Sequence, residues 1–92
     1  MKSIIKTYVQ EIEDDIPMYV LMSDDEMFFL RYTEKGKIET TEDPIHADTW
    51  GNDEHAAFEL AEYAERFKKT KKKWRVVARY ETQKLTFRFT ER

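Results

Sequence analysis

Met18-Tyr19-Val20-Leu21-Met22, then Ser23-Asp24-Asp25-Glu26, then Met27-Phe28-Phe29-Leu30-Arg31-Tyr32-Thr33: two apolar runs joined by a short polar linker decide the fold of this chain. Each run has strand length, and the acidic linker is short enough to force them antiparallel, so the stretch reads as a β-hairpin. Alternation along the second run predicts that Phe28, Leu30 and Tyr32 share one face while Met27, Phe29 and Arg31 share the other. Glu34-Lys35-Gly36-Lys37 is the next turn. Gly36 can take the positive φ that a tight hairpin demands. A short strand over residues 38–41 then completes a meander.

Working outward, residues 4–12 are β-branched and apolar on both parities and read as a further strand, broken by Glu13-Asp14-Asp15-Ile16-Pro17. On the other side Asp43-Pro44 closes the meander, and residues 45–51 form an irregular connection anchored by Trp50. Asn52 or Asp53 caps a helix whose first turn is acidic and whose last turn runs into Lys68 and Lys69, as the helix dipole prefers. Ala57, Leu60, Ala61, Ala64 and Phe67 recur at three- and four-residue spacing, which predicts the stripe that packs on the sheet. Phe58 falls on the polar side among Glu54, Glu62 and Glu65. It lies either under a neighbouring segment or in the open as an aromatic anchor ringed by acids.

After Lys68-Lys69-Thr70-Lys71-Lys72-Lys73 comes the last β region. Trp74, Val76, Ala78 and Tyr80 occupy even positions, whereas Leu85, Phe87 and Phe89 occupy odd ones. One straight strand cannot hold both sets on one face, so a turn or bulge near Thr82-Gln83 is predicted, making a C-terminal hairpin. The expected fold is α+β. A single domain over residues 1–92 has an antiparallel sheet built from a meander, then one helix packed on one face, then that hairpin.

A chain of 92 residues has room for one hydrophobic core. With 40% hydrophobic, 14% aromatic and 38% charged residues it is too aromatic for a disordered tail and too charged for a membrane protein. There is no cysteine, which removes disulfides, thiolate metal sites and a Cys nucleophile, and favours a reducing compartment. The start, Met1-Lys2-Ser3-Ile4-Ile5-Lys6, lacks the apolar run of a secretory signal, and residues 16–22 are too few to span a bilayer. A cytoplasmic protein with no membrane partner is the expectation.

Catalytic inventory is thin. Ser3 and Ser23 have no histidine near them in sequence, so nucleophilic catalysis lacks its base. Gly36 and Gly51 are the only glycines, so no phosphate-cradling loop is encoded. His46 and His55 with Asp43, Asp48 or Asp53 match no metal-ligand template. The carboxylates of Asp14-Asp15 and Asp24-Asp25-Glu26 sit in turns where solvation outweighs acid–base work. The expectation is a non-enzymatic protein with no cofactor and no metal, acting by binding another macromolecule.

Charge is sorted along the chain. Residues 1–60 hold 15 Asp and Glu against 5 Lys and Arg, a net −10, while residues 61–92 hold 4 against 11, a net +7. The two halves either pair across the fold or present separate acidic and basic surfaces that steer a partner. Asp14, Asp15, Asp24, Asp25 and Glu26, with Phe58 as apolar anchor, are the candidates for docking a protein. Such an acidic array imitates phosphates and would compete for the basic groove of a nucleic-acid-handling protein. The alternative is a nucleic-acid-binding module using Lys69, Lys71, Lys72, Lys73, Trp74 and Arg75, with phosphates neutralised by the lysines and a base stacked on Trp74. A homodimer through an open sheet edge is a third possibility.

Over residues 18–80 the order of signals resembles small accessory proteins of tailed phages and prophages of low-GC bacteria. The resemblance is carried by the meander, the turn Thr41-Glu42-Asp43-Pro44-Ile45-His46-Ala47-Asp48-Thr49-Trp50, the Ala-rich segment 56–67 and the Val-rich segment 74–80. It implies a protein that binds and inhibits or redirects a host enzyme, including nucleases of bacterial defence. It transfers no functional residue.

Overall fold

The computed structural model describes residues 3–5, 17–81 and 87–91. In chain order they form β1 (Ser3–Ile5), β2 (Met18–Ser23), β3 (Phe28–Tyr32), β4 (Ile38–Thr41), α1 (Asp53–Glu62), α2 (Ala64–Lys68), β5 (Trp74–Glu81) and β6 (Phe87–Glu91). The strands make one antiparallel sheet in the order β1-β6-β5-β2-β3-β4. This is the expected α+β arrangement of meander, helix and C-terminal hairpin. Of the strand read over 4–12, residues 6–12 lie outside the described residues, as does the turn at Thr82-Gln83.

Both turns of the meander form as their sequences require. At the second, Thr33 N–H donates to the Lys37 carbonyl and Gly36 N–H to the Thr33 carbonyl, both at 2.8 Å, and Gly36 takes φ 78°. Facing within β3 differs from simple alternation. The β3–β4 register shifts between Phe29 and Arg31, a bulge at Leu30 that turns Phe29 and Tyr32 to the same side with ring centroids 4.8 Å apart. A bulge adds a residue, and the period-two expectation fails beyond it.

Strands β2 and β3 pair at Met22 and Phe28 and then separate. The segment before α1 fills the gap. Tyr19 and Trp50 exchange backbone hydrogen bonds of 2.9 Å, and Asp48 N–H donates to the Phe29 carbonyl at 3.0 Å. Trp50 is the anchor read from sequence, half-buried and stacked at 6.1 Å on Phe29.

Directly opposed residues share a face, so the registers assign the core. Leu21 lies opposite Val76, and both face the helix together with Phe29, Ala56 and Phe67. Val20 lies opposite Val77, and Arg79 opposite Phe89. These belong to the other side of the sheet, where Val20, Met22, Phe28, Ala47, Val77 and Phe89 form a second buried cluster. The hairpin therefore does not gather the even and odd apolar sets onto one face. It sends Val76 and Phe89 to opposite faces, because the sheet buries both.

Asn52 caps α1, its Oδ1 accepting from His55 N–H at 2.8 Å. The packed residues are Ala56, Ala57, Leu60, Tyr63 and Phe67, of which Ala56 and Phe67 are buried, while Ala61 and Ala64 are exposed. Ala57, Leu60 and Phe67 of the stripe read from sequence therefore pack as expected, whereas Ala61 and Ala64 give way to Ala56 and Tyr63. Burying an aromatic ring removes far more apolar surface than burying a methyl group, so Tyr63 turns inward and Ala64 does not. The helix is interrupted at Tyr63, which takes φ −110° and ψ 31° and separates α1 from α2.

Candidate functional site

The acidic turn and the basic run meet. Ser23, fully buried at the end of β2, lies opposite Trp74 at the start of β5. That register sets the turn after β2 beside the segment before β5. Ser23 Oγ accepts from Met27 N–H at 3.1 Å and donates to the Asp25 carboxylate. Asp25 in turn pairs with Lys72 Nζ at 3.0 Å. The Ser23 hydroxyl and the Lys72 ammonium together hold the Asp25 carboxyl below the usual carboxylate range.

A carboxyl with a lowered folded-state pKa stabilises the fold above its unfolded value of 3.8 and loses that contribution as pH falls through the lower folded value. Asp25→Asn is therefore expected to be less stable than the parent near neutrality and to converge with it below pH 3.8. Urea unfolding from acid to neutral pH measures the convergence. A gap independent of pH would show that the pair contributes nothing through ionisation.

Asp24 and Glu26 flank this pair and are exposed, Glu26 with φ 64°. Asp14 and Asp15 lie outside the described residues. Within the basic set, Lys69, Lys71 and Lys73 are exposed, whereas Trp74 and Arg75 are engaged inside the fold. Trp74 Nε1 donates to Thr70 Oγ1 at 2.8 Å and its ring meets Phe67 edge-on at 5.3 Å. Arg75 Nη1 donates to the Ser23 carbonyl at 3.3 Å. The ring suggested as a stacking platform is thus half-buried core.

Phe58 has the opposite environment. It is 65% exposed on α1. Glu54, Ala61 and Glu62 are exposed one turn away on either side of it along α1, and Glu65, paired with Lys68 at 3.9 Å, is exposed on α2. The far side of α1 is fixed by Ala56 and Leu60 against the sheet, which holds Phe58 on a rigid element.

Of the histidines, His46 Nδ1 lies 3.3 Å from the Asp43 carboxylate and both are exposed; His55 is exposed on α1. No group of three or more metal-ligating side chains occurs among the described residues. No described helix is long and apolar enough to cross a membrane.

A further feature has no counterpart in the sequence reading. Lys35, Gly36, Lys37, Ile38, Arg66, Lys69 and Thr70 line a groove of about 450 Å³ between the β3–β4 turn and the end of α2. Four of its side chains are cationic and none is acidic. The Arg66 guanidinium lies 5.1 Å from the Tyr32 ring centre and 4.7 Å from that of Tyr63. Tyr32 Oη donates to Glu59 at 2.7 Å, and burial with that carboxylate beside it pushes the phenol pKa well up. In sequence the cations are split between two segments about 30 residues apart, and only the meander register brings them together.

No family model matches this chain, and neither the curated proteins nor the solved structures give a significant match.

Proposed function

We propose that this protein is a non-enzymatic binder of another protein and that it docks through the outer face of α1, with Phe58 as the apolar anchor and Glu54, Glu62 and Glu65 as the charged surround. The observation that carries the reading is the 65% exposure of Phe58 on a helix locked to the sheet by its other side. Burying such a ring at an interface is worth about 1.5–3 kcal/mol, and little ordering entropy opposes it because the helix is already rigid. The matching partner surface has an apolar pocket rimmed by Lys or Arg.

Basic surfaces of that kind line the grooves in which nucleic-acid-handling proteins hold phosphates. The resemblance to phage accessory proteins supports the same class of partner, and we extend the proposal to an inhibitor that occupies such a groove on a bacterial defence nuclease. Asp24 and Glu26 add acidic charge on the turn between β2 and β3.

The test is capture from bacterial lysate on immobilised protein, followed by calorimetry with the purified captured partner. Phe58→Glu is expected to weaken binding by about 100-fold, equivalent to about 2.7 kcal/mol, while leaving the unfolding midpoint unchanged because the ring is exposed. Combined Glu54→Lys and Glu62→Lys is expected to slow association and flatten the salt dependence. A partner that binds Phe58→Glu as tightly as the parent would remove the helix face from consideration.

A further inference from the structure

The groove between the β3–β4 turn and the end of α2 is a separate feature with its own chemistry. We propose that it binds the adjacent phosphate groups of a small ligand, a diphosphate or triphosphate ester or inorganic pyrophosphate, with Arg66 gripping one phosphate and Lys35, Lys37 and Lys69 neutralising the rest.

Arg66 carries most of the case. Its guanidinium carbon stands over the Tyr32 and Tyr63 rings, and it has no ion pair with a described residue. Attraction to ring faces restrains the guanidinium without using up its fork of N–H donors, and a phosphate presents two oxygens at the spacing that fork matches. On the groove side the backbone of Gly36 approaches closely. A β-carbon placed there would stand 3.4 Å from Arg66 Cζ.

The turn that supplies the other wall is stiff. Besides its two backbone hydrogen bonds, Lys37 N–H donates to Thr33 Oγ1 at 3.1 Å. Lys35 and Lys37 are therefore held on either side of Gly36 by a fixed loop, with Lys69 opposite them at the end of α2. None of these lysines pairs with a described carboxylate, although the chain has 19 acidic residues. Four cations lining one recess repel each other, and a bound multivalent anion reverses that repulsion.

Size and surroundings favour a small molecule over a nucleic-acid strand. A volume of about 450 Å³ lies in the range of small-ligand sites and exceeds what two phosphates fill, leaving space against Ile38 for part of an attached group. A strand needs a continuing basic track with rings for its bases. Beyond Lys69 the exposed Lys71 and Lys73 continue the charge, but Lys72 is paired with Asp25 and the Trp74 ring packs on Phe67, so that ring is not free to stack on a base.

The test is a titration of the whole chain, at constant ionic strength, with inorganic pyrophosphate, ADP, orthophosphate and a single-stranded oligonucleotide. Binding is followed by calorimetry and by amide shifts. Pyrophosphate or ADP is expected to saturate one site, moving the amides of Gly36, Lys37 and Lys69, with orthophosphate at least tenfold weaker. Whichever of the two binds more tightly identifies whether the attached group is recognised. Arg66→Gln is expected to weaken binding at least tenfold. Should that variant unfold, the double change Lys35→Gln and Lys37→Gln alters only exposed side chains and is expected to do the same, while Lys73→Gln, outside the groove, changes affinity less than twofold. Absence of saturable binding, equal loss with Lys73→Gln, or binding of the oligonucleotide alone would overturn the proposal. Binding at the Phe58 face is independent of each outcome.

Discussion

Phe29→Ala is expected to remove about 3–5 kcal/mol of stability, as truncation of a buried phenylalanine does. A 92-residue domain at roughly 0.05–0.15 kcal/mol per residue holds about 5–14 kcal/mol, so the change takes at least about a fifth of the total. Phe29 sits near the top of that range because it is the hub of the helix-side core. Its ring lies within 4.8 Å of Tyr32, 5.5 Å of Phe67 and 6.1 Å of Trp50, centroid to centroid. The side chain is almost fully buried, and rings on three different elements would have to move inward to fill the hole. Urea unfolding should show the midpoint falling sharply with little change in slope. A loss below about 1 kcal/mol would mean the cluster collapses around the gap and that Phe29 is not its centre.

The same substitution reaches the phosphate groove by a traceable route. Tyr32 leans on Phe29, and Arg66 lies over Tyr32. The helix-facing core thus holds the ring on which the guanidinium rests. By contrast Phe58 touches none of this, which is why its replacement is expected to alter binding and leave stability alone.

Several of these features were legible in the sequence, and the reasons differ. The meander, the Asn52 cap and the glycine turn are local: each is decided by residues within a few positions of one another, and each formed as read. The facing of Phe29 and Tyr32 was not legible, since the bulge at Leu30 depends on how β4 pairs, information absent from β3 itself. The helix stripe was legible in part, at Ala57, Leu60 and Phe67. Ala61 and Ala64 signal a stripe as strongly as larger residues do, yet contribute little to burial, and Tyr63 takes the inward place.

Charge followed a similar division. The sorted charges left open whether the halves pair or present separate surfaces, and the fold does some of each. Asp25 is matched to Lys72 through the β2–β5 register, while Lys35, Lys37, Arg66 and Lys69 collect without a described carboxylate. Net charge by segment could not separate these cases. Lys35 and Lys37 belong to the acidic half, so a reading that divides the chain in two overlooks the residues that cross the division.

Phe89→Ala probes the other side of the sheet and is expected to cost about 3–5 kcal/mol as well. Phe89 is fully buried with its ring 5.2 Å from Phe28, in the cluster that includes Val20, Met22 and Val77. Two independent cores divided by one sheet make a sharper claim than either substitution alone. Phe29→Ala and Phe89→Ala lie on opposite faces and in different buried clusters of the described residues, so their costs should add to within about 0.5 kcal/mol. Because the sum approaches the stability of the domain, the cycle is best run in a stabilising osmolyte such as trimethylamine oxide, which strengthens folding. Phe28→Ala with Phe89→Ala should instead show a coupling of about 0.5–1.5 kcal/mol, the usual value for a contacting aromatic pair. Strong coupling between Phe29 and Phe89, or none between Phe28 and Phe89, would mean that the strand facing set out above is wrong, and with it the placement of the C-terminal hairpin.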